Sequence, residues 1–121
     1  MTAERFPRWV YRDGDEPDPR FTLANERTYL AWIRTSLALI AGGVALEALA
    51  LPLDPSLRLG ASILLLVLGL LVPALAWWDW GRTERAMRAA APLPASLLTA
   101  PLAVGVTVVG GLVLAAMLVE R

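Results

Sequence analysis

Apolar positions along the chain gather into three long blocks separated by short polar breaks. No charged residue occurs over 59–78 or over 89–119. Each run reaches the roughly 20 apolar residues that a helix needs to cross the hydrocarbon layer. The block at 28–53 is as long but contains Arg34 and Glu47, so it reads as a spanning helix with two charges to account for. Asp18 followed by Pro19 reads as an N-cap and a first helical residue, which places the first helix over 19–52. A second helix is expected over 57–80, kinked where Pro73 takes away one backbone N–H and presses on the carbonyl of Gly69. The stretch P-L-P breaks the chain before a third helix over 96–119, and Pro101 falls within its first turns. The pattern therefore predicts an all-α membrane protein with three transmembrane helices. Residues 1–17 form a cytoplasmic tail, part Arg/aromatic, part acidic and partly disordered, ahead of a membrane domain over 18–121.

Composition agrees: 57% of the 121 residues are hydrophobic, too many for a soluble domain of this size. Cysteine and histidine are both absent, which removes disulfides, thiolate chemistry, imidazole metal sites and histidine acid–base catalysis. No nucleophile–base pair or metal-ligand cluster is visible, so no catalytic residue, metal or cofactor is assigned and no enzymatic activity is expected. The 11 basic residues, all arginine, are balanced by 11 acids and sit beside the membrane blocks, which argues against a nucleic-acid partner. A signal peptide is not expected, because Asp13, Asp15, Glu16, Asp18 and Glu26 precede the first apolar run where a basic segment should lie.

Arginines 5, 8, 12, 20, 27 and 34 lie on the N-terminal side and 82, 85 and 88 between the second and third blocks, against only Arg58 and Arg121 at the other ends. The positive-inside rule then puts the N-terminus in the cytoplasm and the C-terminus outside. Phe6, Trp9, Tyr11, Phe21, Tyr29, Trp32, Trp77, Trp78 and Trp80, all the aromatic residues, fall on that same inner side, where amphipathic rings favour the headgroup layer. Contact with anionic inner-leaflet lipids is expected there.

Helices associate in lipid through close backbone approach, so small residues at four-residue spacing mark packing surfaces. Ala103, Thr107, Gly111 and Ala115 form one such row, and Ala31, Ala38, Ala41, Gly42 and Ala45 another with Arg34. These rows fit either a homo-oligomer or packing within one three-helix bundle. Arg27 and Arg34 lie within about 20° of each other on the first helix, with Arg34 roughly 10 Å further in. Bare exposure at the bilayer centre costs at least about 2.5 kcal/mol. Three arrangements would relieve that cost. Both guanidiniums reach back to inner-leaflet phosphates while Glu26 pairs with an arginine of 80–88; or several subunits turn them inward as a basic ring that attracts an anion; or they join Asp79 and Glu84 in an interhelical ion-pair network. Glu47 is free to snorkel outward or to pair with Arg58.

The run D-P-R-F-T-L-A-N-E-R-T-Y-L-A-W-I-R-T-S-L-A-L-I-A-G-G, 18–43, resembles the signature of the YidH-like bacterial membrane proteins, domain-of-unknown-function family 202. The arginine- and tryptophan-rich end of the second helix, W-W-D-W-G-R-T-E-R-A-M-R, and a glycine-rich third helix fit the same family. The resemblance implies a bacterial inner-membrane location and makes Asn25, Glu26 and Arg27 the family's N-E-R element, with Arg27 at the cytoplasmic mouth of the first helix. The same domain occurs in the eukaryotic vacuolar transporter chaperone complex, whose subunits surround a basic path for polyphosphate. What is expected is an oligomeric anion-binding or anion-conducting module, with Arg27 and Arg34 supplying the field and Thr35 a hydroxyl donor, for an inorganic or polyphosphate-like anion. Ala38, Gly42, Ala103, Thr107, Gly111 and Ala115 would be its packing residues. The alternative is an accessory subunit that organises another membrane protein and transports nothing.

Overall fold

The computed structural model describes residues 5–121, and within them four helices: α1, Arg8–Tyr11; α2, Pro19–Ala48; α3, Pro55–Arg88; and α4, Thr99–Val119. The last three are long and apolar enough to cross a membrane. The first four residues of the expected tail lie outside the described residues.

Local chemistry sets the helix ends. Asp18 caps α2 by accepting the Arg20 N–H at 2.9 Å, with Pro19 as first helical residue. Asp54 and Pro55 repeat the device for α3, where the Leu57 N–H donates to Asp54 at 3.0 Å. α2 stops at Ala48, short of the expected 52, because Pro52 disfavours helical backbone in the residue before it and Ala50 has already turned left-handed (φ 48°). α3 continues to Arg88, two turns past the expected 80, since R-T-E-R-A-M-R contains no helix breaker; Ala90 (φ 52°) and then Pro92 end it. At 34 residues α3 is about 51 Å long against a hydrocarbon layer of about 30 Å. Its final turns must therefore project beyond the bilayer core. α4 begins at Thr99 rather than 96, because the Ser96 hydroxyl accepts the Leu98 N–H at 3.2 Å and holds a turn just before the helix. Pro101 thus sits in the first turn, where no backbone donor is missed.

α3 is the central element. α2 and α4 both pack on it and make no packing contact with each other. The α2 and α3 backbones meet antiparallel in one register, fixed by three side chains that each donate to a backbone carbonyl of the facing helix. Asn25 donates to Trp80 at 3.0 Å, Ser36 to Gly69 at 2.7 Å and Ser62 to Gly43 at 2.5 Å. Between them the backbones come close: a Cβ on Gly43 would stand 2.9 Å from the Ser62 carbonyl oxygen, and one on Gly69 3.2 Å from that of Ser36. The Gly69 carbonyl is the one left without its helical donor by Pro73, and the Ser36 hydroxyl supplies the missing partner. α4 docks on a different side of α3. Leu68 fills the space that a side chain at Gly105 would need, and Leu98, Val109 and Ala116 are buried along the same row. Ser62 and Gly69 point to α2 while Ala61 and Leu68 serve the other flank, roughly 80–100° away around α3. The three helices are therefore set at an angle about α3, with α2 and α4 on adjoining flanks of it and not closed against each other. The accessible surface, 7955 Å², exceeds the roughly 6,400 Å² expected of a compact soluble chain of this mass. The excess is largely apolar side chain, such as Leu37, Leu70 and Val104, on the outward faces.

Candidate functional site

The stripe of α2 that seats on α3 runs through Asn25, Tyr29, Trp32, Ser36, Leu39 and Gly43. Arg27 and Arg34 lie roughly 160–180° around the helix from Ser36, and both are exposed, as are Ala31, Ala38, Ala41 on the same side. Neither guanidinium has an ion pair or a hydrogen bond among the described residues. The acids that would have joined them in an interhelical network are engaged elsewhere. Asp79 faces Arg82 on its own helix at 3.7 Å, and buried Glu84 accepts hydrogen bonds from Asn25 at 3.3 Å and Thr22 at 3.4 Å. Glu26 likewise pairs with no arginine of 80–88. At the far end the second intramembrane charge is settled: Glu47 and Arg58 form an ion pair at 3.3 Å, and Arg58 also donates to the Leu51 carbonyl at 2.8 Å.

Depth follows from the register. Asn25 is level with Trp80, and Glu47 stands at the opposite end with Arg58, a separation of about 33 Å along α2. Arg34 is thus roughly 13 Å inward of the Asn25 level, approaching mid-membrane, whereas Arg27 is only about 3 Å inward. Thr35 is half-buried and its hydroxyl donates to the Ala31 carbonyl at 3.2 Å, so it serves its own helix and does not point with Arg34. Of the small residues, Gly42 lies 3.6 Å, measured from an added Cβ, from Leu65, while Ala103, Thr107 and Gly111 are exposed on the side of α4 away from α3, with Ala115 half-buried at their edge. The α4 seam is instead Leu98, Gly105, Val109 and Ala116. The three residues of the N-E-R element fan out: Asn25 clamps α3, Glu26 faces sideways into a cavity, and Arg27 points outward.

At the aromatic end, residues 5–18 fold back onto α3. Trp9 lies against Gly81, where any side chain would collide with its ring, and stacks on Trp78 with centroids 4.9 Å apart. The Arg88 guanidinium donates to the carbonyls of Asp13 at 2.9 Å and Tyr11 at 3.1 Å and pairs with Glu16, which Arg5 also engages. The Asp15 N–H completes the strap by donating to the Arg88 carbonyl at 2.9 Å, on the free C-terminal end of α3. Burial, and next the charge of Glu84, push the Tyr11 phenol above its ordinary range. Hydrogen bonding from Arg20 holds the Asp18 carboxyl below the usual carboxylate range. The reading by hydropathy missed the clamps of Asn25, Ser36 and Ser62. The available signal was the matched spacing of Ser36 with Gly43 and Ser62 with Gly69, each pair two turns apart.

Three apolar helices joined by short turns, with an aromatic and arginine-rich rim at one end, define a multi-pass membrane protein. Residues 20–86 match the family described as Domain of unknown function (DUF202). The chain belongs to that family. It is 46% identical over 101 residues to the uncharacterized protein Rv2272 of Mycobacterium tuberculosis, covering 83% of each chain. It is also 46% identical over 89 residues to the inner membrane protein YidH of Escherichia coli K12, covering 70% of this chain and 75% of that relative. No solved structure matches it. The family and the relatives support a multi-pass protein of the bacterial plasma membrane.

Proposed function

We propose that the chain is a small homo-oligomeric module, without enzymatic activity, that binds or conducts an inorganic or polyphosphate-like anion across the inner membrane. The supporting observation is the placement of Arg27 and Arg34: unpaired, exposed, and on the face of α2 opposite its seat on α3. In a lone protomer that face would meet lipid tails, at a cost of at least about 2.5 kcal/mol for an arginine near the centre. Copies that turn this face toward a common axis remove the guanidiniums from lipid, and Ala31, Ala38, Ala41 and Ala45 let the helices approach closely. Several guanidiniums around one axis repel each other, and an anion on the axis relieves the repulsion. The N-terminal strap and the aromatic rim lie on the cytoplasmic side by the arginine count, with the C-terminus outside. Arg27 stands at the inner mouth, among anionic inner-leaflet lipids.

The test is anion efflux from vesicles containing the purified protein, with subunit number measured by native mass spectrometry. Arg34→Gln should lower flux at least tenfold while the subunit number stays the same. A monomer, or unchanged flux, refutes the reading. The outward row Ala103, Thr107 and Gly111 on α4 favours a second reading, an accessory subunit packed against another membrane protein. That reading requires a stoichiometric partner in pull-downs from native membranes, lost when Gly111 is replaced by a bulky residue.

A further inference from the structure

Between α1, α2 and α3, away from the arginine face, lies a cavity of about 280 Å³ lined by Tyr11, Thr22, Glu26, Tyr29, Trp77 and Trp80. Four of its six lining residues are aromatic, one is a carboxylate, and none is basic. The electron-rich faces of tryptophan and tyrosine attract cations, and tryptophan does so best. Behind the wall, Thr22 donates its hydroxyl to the buried carboxylate of Glu84, whose other hydrogen bond comes from the neutral Asn25 amide. The charge of Glu84 is felt at the lining: after burial it is the largest influence raising the Tyr11 phenol, with Arg5 and Arg88 opposing it and Glu26 adding to it. Two cations lie over the ring of the Tyr11 wall, Arg5 at 4.3 Å and Arg88 at 5.5 Å, and they share Glu16 as a counter-ion. The volume falls just below the roughly 300–1,000 Å³ of ordinary ligand pockets, which suits a head group rather than a drug-sized molecule. Its rim is the aromatic end of the molecule, the level at which lipid head groups lie.

We propose that this cavity binds a small alkylammonium group, the chemistry shared by a free organic amine and by the head of an ethanolamine or choline lipid. The aromatic walls hold the methylene or methyl groups and the positive charge, and Glu26 at the open side and Glu84 behind Thr22 supply the counter-charge. This proposal does not rest on the anion reading, since Arg27 points outward and neither it nor Arg34 lines the cavity.

Tetramethylammonium chloride is titrated into the full-length protein in detergent and followed by tryptophan fluorescence, with sodium chloride at equal ionic strength as reference. In a second arm, nanodiscs of mixed phosphatidylethanolamine and phosphatidylglycerol are examined by native mass spectrometry for retained lipid. Saturable quenching by tetramethylammonium alone assigns the site to a free amine, and selective retention of phosphatidylethanolamine assigns it to a lipid head. Either result is expected to weaken at least tenfold in Glu26→Gln, an exposed position that leaves the fold intact, and in Tyr29→Leu. Quenching no different from sodium chloride together with no preference for the ethanolamine lipid overturns the proposal, as does binding that both variants leave unchanged.

Discussion

Replacing Ser36 by alanine should cost more than an ordinary interhelical hydrogen bond, because its acceptor has no other donor in the helix. The Ser36 hydroxyl meets the Gly69 carbonyl at 2.7 Å, and both residues are buried. Hydrogen bonds between membrane helices average about 0.6 kcal/mol. A buried carbonyl left unsatisfied adds about 1–3 kcal/mol, and Pro73 leaves Gly69 in that condition. We expect a loss of about 1.6–3.6 kcal/mol for Ser36→Ala. Ser62→Ala, whose Gly43 acceptor still faces the Glu47 N–H one turn on, should lose only about 0.6 kcal/mol. The decisive comparison is a double-mutant cycle. In a Pro73→Ala background the restored N–H at position 73 reaches Gly69, so Ser36→Ala should cost about 1–3 kcal/mol less there than in the parent. Equilibrium unfolding in mixed micelles, followed by far-ultraviolet circular dichroism, supplies the four free energies. Equal costs of Ser36→Ala in both backgrounds would refute the reasoning.

Two further expectations concern the N-terminal strap. Gly81→Leu puts a side chain into the Trp9 ring and should undock α1, raising protease cleavage within residues 5–18 at least several-fold while helix content stays constant; unchanged protection would show that Trp9 is not the anchor. The Tyr11 phenol is raised in the folded protein, so its contribution to docking is complete below the ordinary value of 10.0 and is lost as pH rises through the raised value. Ultraviolet absorbance titration should show one tyrosine ionising above the free phenol, with strap release in step. Tyr11→Phe should remove that alkaline transition, and its persistence would reassign the transition to another group.

Much of the fold was legible in one dimension. Uncharged runs of sufficient length require helices in lipid, since no other open segment satisfies its own backbone there. Asp18-Pro19 marks a helix start by chemistry that needs no neighbours, whereas the expected start of α3 at 57 misses the same signal at Asp54-Pro55, and the helix begins at Pro55. The sequence alone also put Arg27 and Arg34 on one face and singled out the Gly69 carbonyl. It misjudged the helix ends at 48, 88 and 99 because fraying, turns and polar continuations depend on balances of about 1 kcal/mol, which hydropathy does not register.

Which face goes where belonged to the tertiary structure. In water an apolar stripe announces its own core side, but in lipid every side of these helices is apolar or small, and the pattern is nearly the same all round. Ala103, Thr107 and Gly111 therefore looked as fit to pack on α3 as Gly105, Val109 and Ala116, and only the meeting of Gly105 with Leu68 chose between them. The same applies to α2, where Ser36 beneath the carbonyl freed by Pro73, and Gly43 beneath Ser62, locked its azimuth on α3. Once that stripe was seated, the geometry of a 3.6-residue turn left Arg27 and Arg34 facing away from the rest of the chain. Residues 19 and 33 positions apart had to meet to decide it, because short-range patterning specifies that a helix crosses the membrane but not the direction its side chains face once there.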